Sequence, residues 1–159
     1  MRIYIESTIP SYLVARPARD LLQAARQQTS RDWWELKRQQ HELFTSEIVL
    51  AEISEGEAVM AKQRLEAMQG IKIVRVTDDT EALTRRILES GLLPAAADRD
   101  AAHIALATIY EMDILLSWNC RHIANASIQG RLRRLAEQMG LALPVLCTPD
   151  ELTGELYEQ

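Results

Sequence analysis

Five short apolar runs, separated by helical patterns, predict an α/β domain built on a parallel sheet. The runs Ile3 to Ile5, Leu43 to Thr45, Ile73 to Val76, Ile114 to Ser117 and Val145 to Cys147 show no polar alternation. That is the pattern of strands covered on both faces. Helix-length stretches lie between consecutive runs, as parallel strands joined by right-handed crossovers require. No internal linker interrupts the order, so residues 1–159 read as one domain.

The first run, RIYI, leads to Glu6, Ser7 and Thr8. Two helices are expected before the second strand, Pro17 to Gln28 and Asp32 to Gln40, joined at Thr29 and Ser30, either of which can cap the second. After the second strand, Glu47 to Gln69 is rich in Ala, Glu, Met and Leu, with Gly56 as a break and Gly70 as a stop, which predicts two more helices. Thr77 to Ser90 closes at Gly91. Pro94 then opens a longer helix that runs through Ala101, Ala105 and Ile109 and ends before Met112. Ser127 to Gln138 closes at Gly140. Thr148, Pro149 and Glu151 spell a capping box with proline at the first helical position.

Composition narrows the function classes. Hydrophobic residues make up 47% and charged residues 26% of the chain, as in globular proteins, and no stretch approaches the roughly 18 apolar residues of a membrane span. MRIYIES runs directly into a strand pattern without the features of a signal peptide, so a cytoplasmic location is expected, with Cys120 and Cys147 as reduced thiols. A net charge of -5 argues against a general nucleic-acid binder but leaves room for a local basic patch. Residues 16–38 supply one candidate: Arg16, Arg19, Arg26, Arg31, Lys37 and Arg38, with Trp33 and Trp34 among them, combine phosphate-binding cations with base-stacking rings. The plainer reading is a solvated helix face with its tryptophans in the core or at a subunit contact.

Four oxygen-bearing side chains stand at or just past apolar runs: Glu6, Glu52, Asp100 and Asn119. A parallel sheet can bring all four to one edge, where open α/β folds bind ligands. Each also has a bland explanation. Glu6 can cap the following turn with Thr8, Glu52 can face solvent, and Asn119 can be an ordinary turn residue. Asp100 and His103, three apart on a helix, project to the same side, although a lone histidine there is usually packed into the core. Ser7, Thr8, His103 and Ser117 are the expected neighbours of such a site.

In order along the chain, MRIYIESTIPSYL, TSEIVLAEIS, DRDAAHIALA and ILLSWNCRHIANA resemble PIN-domain proteins of the VapC toxin type. The resemblance spans nearly the whole chain. It implies a three-layer α/β/α fold with a five-stranded parallel sheet and a magnesium- or manganese-dependent endoribonuclease activity. It further implies an antitoxin protein as partner and a homodimer. On this resemblance Glu6, Glu52 and Asp100 are metal ligands and Asn119 completes the catalytic set. Glu6 stands in place of the commoner aspartate, and Asn119 stands where a fourth acid is usual.

An asparagine offers a carbonyl oxygen but no charge, so at most one firmly held ion is expected. Zinc is disfavoured, since Cys120, His122, Cys147, His41 and His103 are scattered, and a Cys120–His122 nucleophile has no third group to align it. No phosphate-binding loop, dinucleotide fingerprint or hydrolase elbow occurs. The alternative to an enzyme is a PIN-like domain with a weakened site, serving RNA binding or protein interaction.

Overall fold

The computed structural model describes residues 1–153, arranged as an α/β/α three-layer fold around a five-stranded, all-parallel sheet. Strand β1 (Arg2–Ile5) leads to helix α1 (Thr8–Val14) and the long helix α2 (Leu21–Leu36). Strand β2 (Glu42–Ser46) is followed by α3 (Glu47–Ile53) and α4 (Ala58–Ala67), then β3 (Lys72–Val74) and α5 (Asp78–Glu89). Helix α6 (Asp98–Ile109) precedes β4 (Ile114–Leu116), and α7 (Ala126–Gln138) precedes β5 (Val145–Cys147). All five expected strands are present, the last with the expected bounds and the others with ends shifted by at most two residues.

The expected pair of helices within residues 17–40 is corrected to one. Asp20 caps α2 by accepting the Gln23 N–H at 2.9 Å, and the helix then runs through Thr29 and Ser30 without a break. Ser30 Oγ donates to the Arg26 carbonyl one turn back at 2.7 Å, a bond that keeps a serine inside a helix instead of capping a new one. Residues 38–40 form only a 3₁₀ turn, and α1 falls within residues assigned no helix from the sequence. Elsewhere the punctuation holds. Gly56 and Gly70 adopt φ of 87° and 80°, the left-handed conformation that ends α3 and α4 without a Cβ clash. Pro94 opens a 3₁₀ turn that runs into α6. At the last predicted cap, Glu151 accepts the Thr148 N–H at 2.9 Å, over a 3₁₀ turn at 149–152.

The strand order is β3-β2-β1-β4-β5. Ile3 lies in register between Leu43 and Ile114, and Ile114 is paired in turn with Val145. The chain therefore builds outward from β1 on one side and then returns to place β4 on the other. The order reverses between β1 and β4. In an open parallel sheet, the connections from two such strands leave in opposite directions and open a crevice at their carboxyl ends. Glu6 follows β1 and Ser117 follows β4, so both stand at the mouth of that crevice. The floor is rigid: Ile3, Tyr4, Ile5, Leu115 and Leu116 are fully buried, and the Glu6 N–H continues the β1–β4 ladder to the Leu116 carbonyl at 3.2 Å.

Candidate functional site

Glu6 is a buried carboxylate held by three donors on one oxygen. Its Oε2 accepts the Thr8 N–H at 3.0 Å, the Thr8 hydroxyl at 2.5 Å and the Ser117 hydroxyl at 2.7 Å. The local cause is the tight exit from β1 into α1, which turns the Thr8 amide back toward the preceding strand end. The expectation that Glu6 meets the next turn's donors through Thr8 is met, and the fold adds Ser117 from β4. Among the described residues Oε1 accepts no hydrogen bond, so that oxygen is left for another partner.

Glu52 arrives from α3. Ser46 caps this helix by accepting the Val49 N–H at 3.2 Å, which starts it directly at the end of β2 and carries Glu52 over the crevice. Glu52 Oε1 meets His103 Nε2 at 2.6 Å, His103 Nδ1 meets the Tyr4 hydroxyl at 2.8 Å, and that hydroxyl meets Ser46 Oγ at 2.7 Å. A buried chain from β2 through β1 and α6 thus aims the Glu52 carboxylate. Burial pushes Tyr4 well above the usual phenol range, so its hydroxyl keeps its proton. Burial works against the charge on both members of the Glu52–His103 pair, but their hydrogen bond and mutual attraction outweigh it. Glu52 is held below the usual carboxylate range, and His103, which also feels Glu6 and Asp100, above the usual imidazole range.

Glu6, Glu52 and His103 offer donor atoms within 4.8 Å of one another. Both nitrogens of His103 are already engaged, so the two carboxylates are the free donors of this cluster. Ser7 Oγ is buried beside them: it makes no hydrogen bond of normal geometry among the described residues, but it sits close enough to Glu52 to favour the charged carboxylate. Oxygen donors and negative charge suit a hard divalent ion, Mg²⁺ or Mn²⁺, rather than zinc.

Asp100 and Asn119 are placed differently from the other two. Asp100, in the first turn of α6, pairs through Oδ2 with His122 Nδ1 at 2.8 Å, outside the 4.8 Å group. Asn119 spends its side-chain oxygen on the His122 N–H at 3.0 Å, while its own N–H donates to Ser117 Oγ at 2.9 Å. The asparagine is therefore the keystone of the turn that carries His122 to Asp100. His122 entered the sequence reading only as a rejected zinc ligand or base. Its spacing three residues after Asn119, usual for an asparagine-capped turn, is the signal that links the two.

Of the basic and aromatic candidates, Trp33 needs correction. Trp33 is fully buried, and exposing an indole of this size costs about 4–6 kcal/mol at roughly 25 cal/mol per Å² over roughly 150–250 Å². It is a core residue, not a stacking platform. The Arg31 guanidinium donates to the Leu13 and Ala15 carbonyls at 3.5 and 3.2 Å and ties α2 to the end of α1. Arg16 is exposed with Glu57 3.8 Å away, and Arg19 is exposed. The tryptophan that lies near the site is Trp118, whose backbone N–H donates to Thr8 Oγ1 at 2.8 Å.

Neither a protein-family model nor a curated protein sequence matches the chain. Among solved structures it is similar to a chain of VapBC2 from Rickettsia felis, crystallised with a DNA fragment from the VapBC2 promoter. The TM-score is 0.57 over 93% of this chain and 97% of the other, with 14% of residues identical. The likeness at that identity is one of fold. Both cysteines are free, and no helix among the described residues is long and apolar enough to cross a membrane.

Proposed function

We propose that the chain is a metal-dependent endoribonuclease that hydrolyses RNA phosphodiester bonds, and the toxin of a type II toxin–antitoxin pair. The observation that carries the reading is the convergence of Glu6 and Glu52 at the reversal point of the sheet, with the buried Ser7 hydroxyl beside them. The fold likeness to VapBC2 supports the toxin role with an antitoxin protein as partner; a second copy of this chain is part of the same proposal.

Glu6 Oε1 and the Glu52 carboxylate would hold Mg²⁺ or Mn²⁺, with Asp100 acting from the rim of the site. Such an ion neutralises phosphate charge and makes water a better nucleophile in an in-line attack on phosphorus. The chain's own residues do the rest. Thr8 and Ser117 fix the rotamer of Glu6, and the Ser46–Tyr4–His103 chain fixes Glu52, so the ligand oxygens are in place before substrate arrives. Asp100 holds the His122 ring by accepting from Nδ1–H, which leaves the Nε2 lone pair to accept a proton from an attacking water.

One observation favours a binding module instead: Asn119 spends its oxygen on a turn and Asp100 is occupied by His122, so fewer acids are free than a strong nuclease site uses. Incubating single-stranded RNA with the protein and Mg²⁺ or Mn²⁺ separates the readings. Cleavage that disappears in EDTA and in Glu52→Gln supports the nuclease. RNA retention with no cleavage at any metal concentration supports the module.

A further inference from the structure

Beside the acidic cluster, a cleft of about 200 Å³ opens between α2, the loop after β4 and the 3₁₀ turn after β5. Its wall is a fixed aromatic and cationic assembly. The Trp118 indole N–H donates to the fully buried Ser30 Oγ at 2.7 Å, and one side of the ring packs on Tyr12 with centroids 5.9 Å apart. The Arg26 guanidinium lies 5.2 Å from the Trp118 ring centroid, with one nitrogen 4.0 Å from Cys120 Sγ. No carboxylate among the described residues forms an ion pair with it. Trp118 itself is almost fully covered, so the surface offered to the cleft is the flat guanidinium, half-buried and already oriented.

The remaining lining is mixed in a way that suits a planar, hydrogen-bonding ligand. Leu22 is largely exposed, an apolar side chain at the cleft margin with nothing packed over it. Asp150 has one carboxylate oxygen engaged by the Thr148 hydroxyl, while the other accepts no hydrogen bond among the described residues. A cation stacked on a ring, an apolar edge and an acceptor are what an unpaired base requires. The volume falls below the roughly 300 Å³ at which drug-sized sites begin, so it admits one base rather than a whole nucleotide. The backbone joins this cleft to the cluster: Trp118 follows Ser117, and its N–H donates to the Thr8 hydroxyl that donates to Glu6.

We propose that this cleft binds one unpaired nucleobase of the RNA next to the cleaved phosphodiester, the base stacking on Arg26 and donating to Asp150. Guanine fits best, since its N1–H and amino group both donate along one edge. The proposal rests on the ribonuclease reading for the identity of the polymer, but not for the cleft itself.

The test uses the full chain in EDTA, where no cleavage occurs, followed by NMR of the three tryptophan indole N–H signals, with Trp118→Phe to assign them. The probes are guanosine 5′-monophosphate, uridine 5′-monophosphate and ribose 5-phosphate. The expected result is a saturable shift of the Trp118 signal with guanosine monophosphate, a weaker one with uridine monophosphate and none with ribose 5-phosphate, while Trp33 and Trp34 stay still. Asp150→Asn should weaken guanosine monophosphate about tenfold, the value of one charge-assisted hydrogen bond, and weaken uridine monophosphate less, because uracil has a single donor on that edge. Equal shifts with ribose 5-phosphate would make this a phosphate site and overturn the proposal, as would a Trp118 signal indifferent to all three. Nucleotide binding without RNA cleavage sinks the ribonuclease and leaves the cleft standing. Cleavage with a silent Trp118 does the reverse.

Discussion

Replacing Glu6 with glutamine separates a metal ligand from a structural acid, because the two roles predict opposite balances. In the metal-free protein, Glu6 and Glu52 carry donor atoms within 4.8 Å of each other, and unit charges at that separation repel by about 3.5 kcal/mol at an effective dielectric near 20. Glu6→Gln removes that repulsion. It also makes neutral the acceptor of three hydrogen bonds, from Thr8 N–H, Thr8 Oγ1 and Ser117 Oγ, at a loss of about 1 kcal/mol each. The two effects nearly cancel, so the variant should melt within about 3 °C of wild type in EDTA at roughly 2–4 °C per kcal/mol. Metal breaks the balance. At one hundred times its dissociation constant, a single ion stabilises the wild type by about 2.7 kcal/mol, or about 5–11 °C in a domain of this size. The variant has lost a ligand and should gain almost nothing. Differential scanning calorimetry with Mg²⁺ and with EDTA reads both quantities. A variant that melts far below wild type in EDTA and still responds to Mg²⁺ would refute the argument and make Glu6 a turn-capping acid.

Three further outcomes follow from the same network. Tyr4→Phe strips the hydroxyl between His103 and Ser46 and leaves a buried imidazole nitrogen unpaired, so it should destabilise by about 2–3 kcal/mol and raise the Mg²⁺ needed for cleavage; an unchanged urea midpoint would remove the network from the account. His103→Gln tests pH dependence in EDTA: the stabilisation from raised His103 is complete below the ordinary value of 6.5 and fades as pH rises through its raised value, while that from lowered Glu52 is complete above 4.5 and fades as pH falls through its lowered value. The wild-type advantage in melting temperature should therefore peak between those two values, and an advantage growing steadily toward about pH 9 contradicts the pairing. Burial pushes the Cys147 thiol up to about 12, whereas Cys120 is exposed, so iodoacetamide near neutral pH should label Cys120 alone; mass spectrometry showing both sites modified at similar rates argues against the packing of β5.

How far the fold was legible follows from which signals are local. Strand runs such as Ile114 to Leu116 are buried on both faces and carry their signal in composition alone, and Gly56 and Gly70 announce helix ends because only glycine adopts their φ without strain. Helix α2 was misread for the opposite reason. Thr29 and Ser30 have capping side chains, but Ser30 Oγ is satisfied by the Arg26 carbonyl and by the Trp118 indole, a partner 88 residues away. Nothing within ten residues of Ser30 reveals that second bond. Helix α1 was missed because Thr8 to Val14 contains Pro10 and three β-branched residues, Thr8, Ile9 and Val14, and lies against α2 and α4, which supply the stabilisation its own sequence lacks.

The site divides along the same line. Glu6 and Thr8 are two residues apart, so their contact was open to sequence reasoning, and Glu52 was suspect as a charge among apolar residues. What turns them into a site is long range: Ser117 reaches Glu6 across 111 positions, and His103 reaches Glu52 across 51. The position of Asp100 was legible, but its partner was not, because His122 comes to it only through the turn that Asn119 caps. That turn gives the asparagine a physical role that needs no metal. An aspartate at 119 would accept the same N–H bond but set a second carboxylate beside Asp100. With asparagine there, the turn is capped by a neutral side chain and no second acid is added near the Asp100–His122 pair.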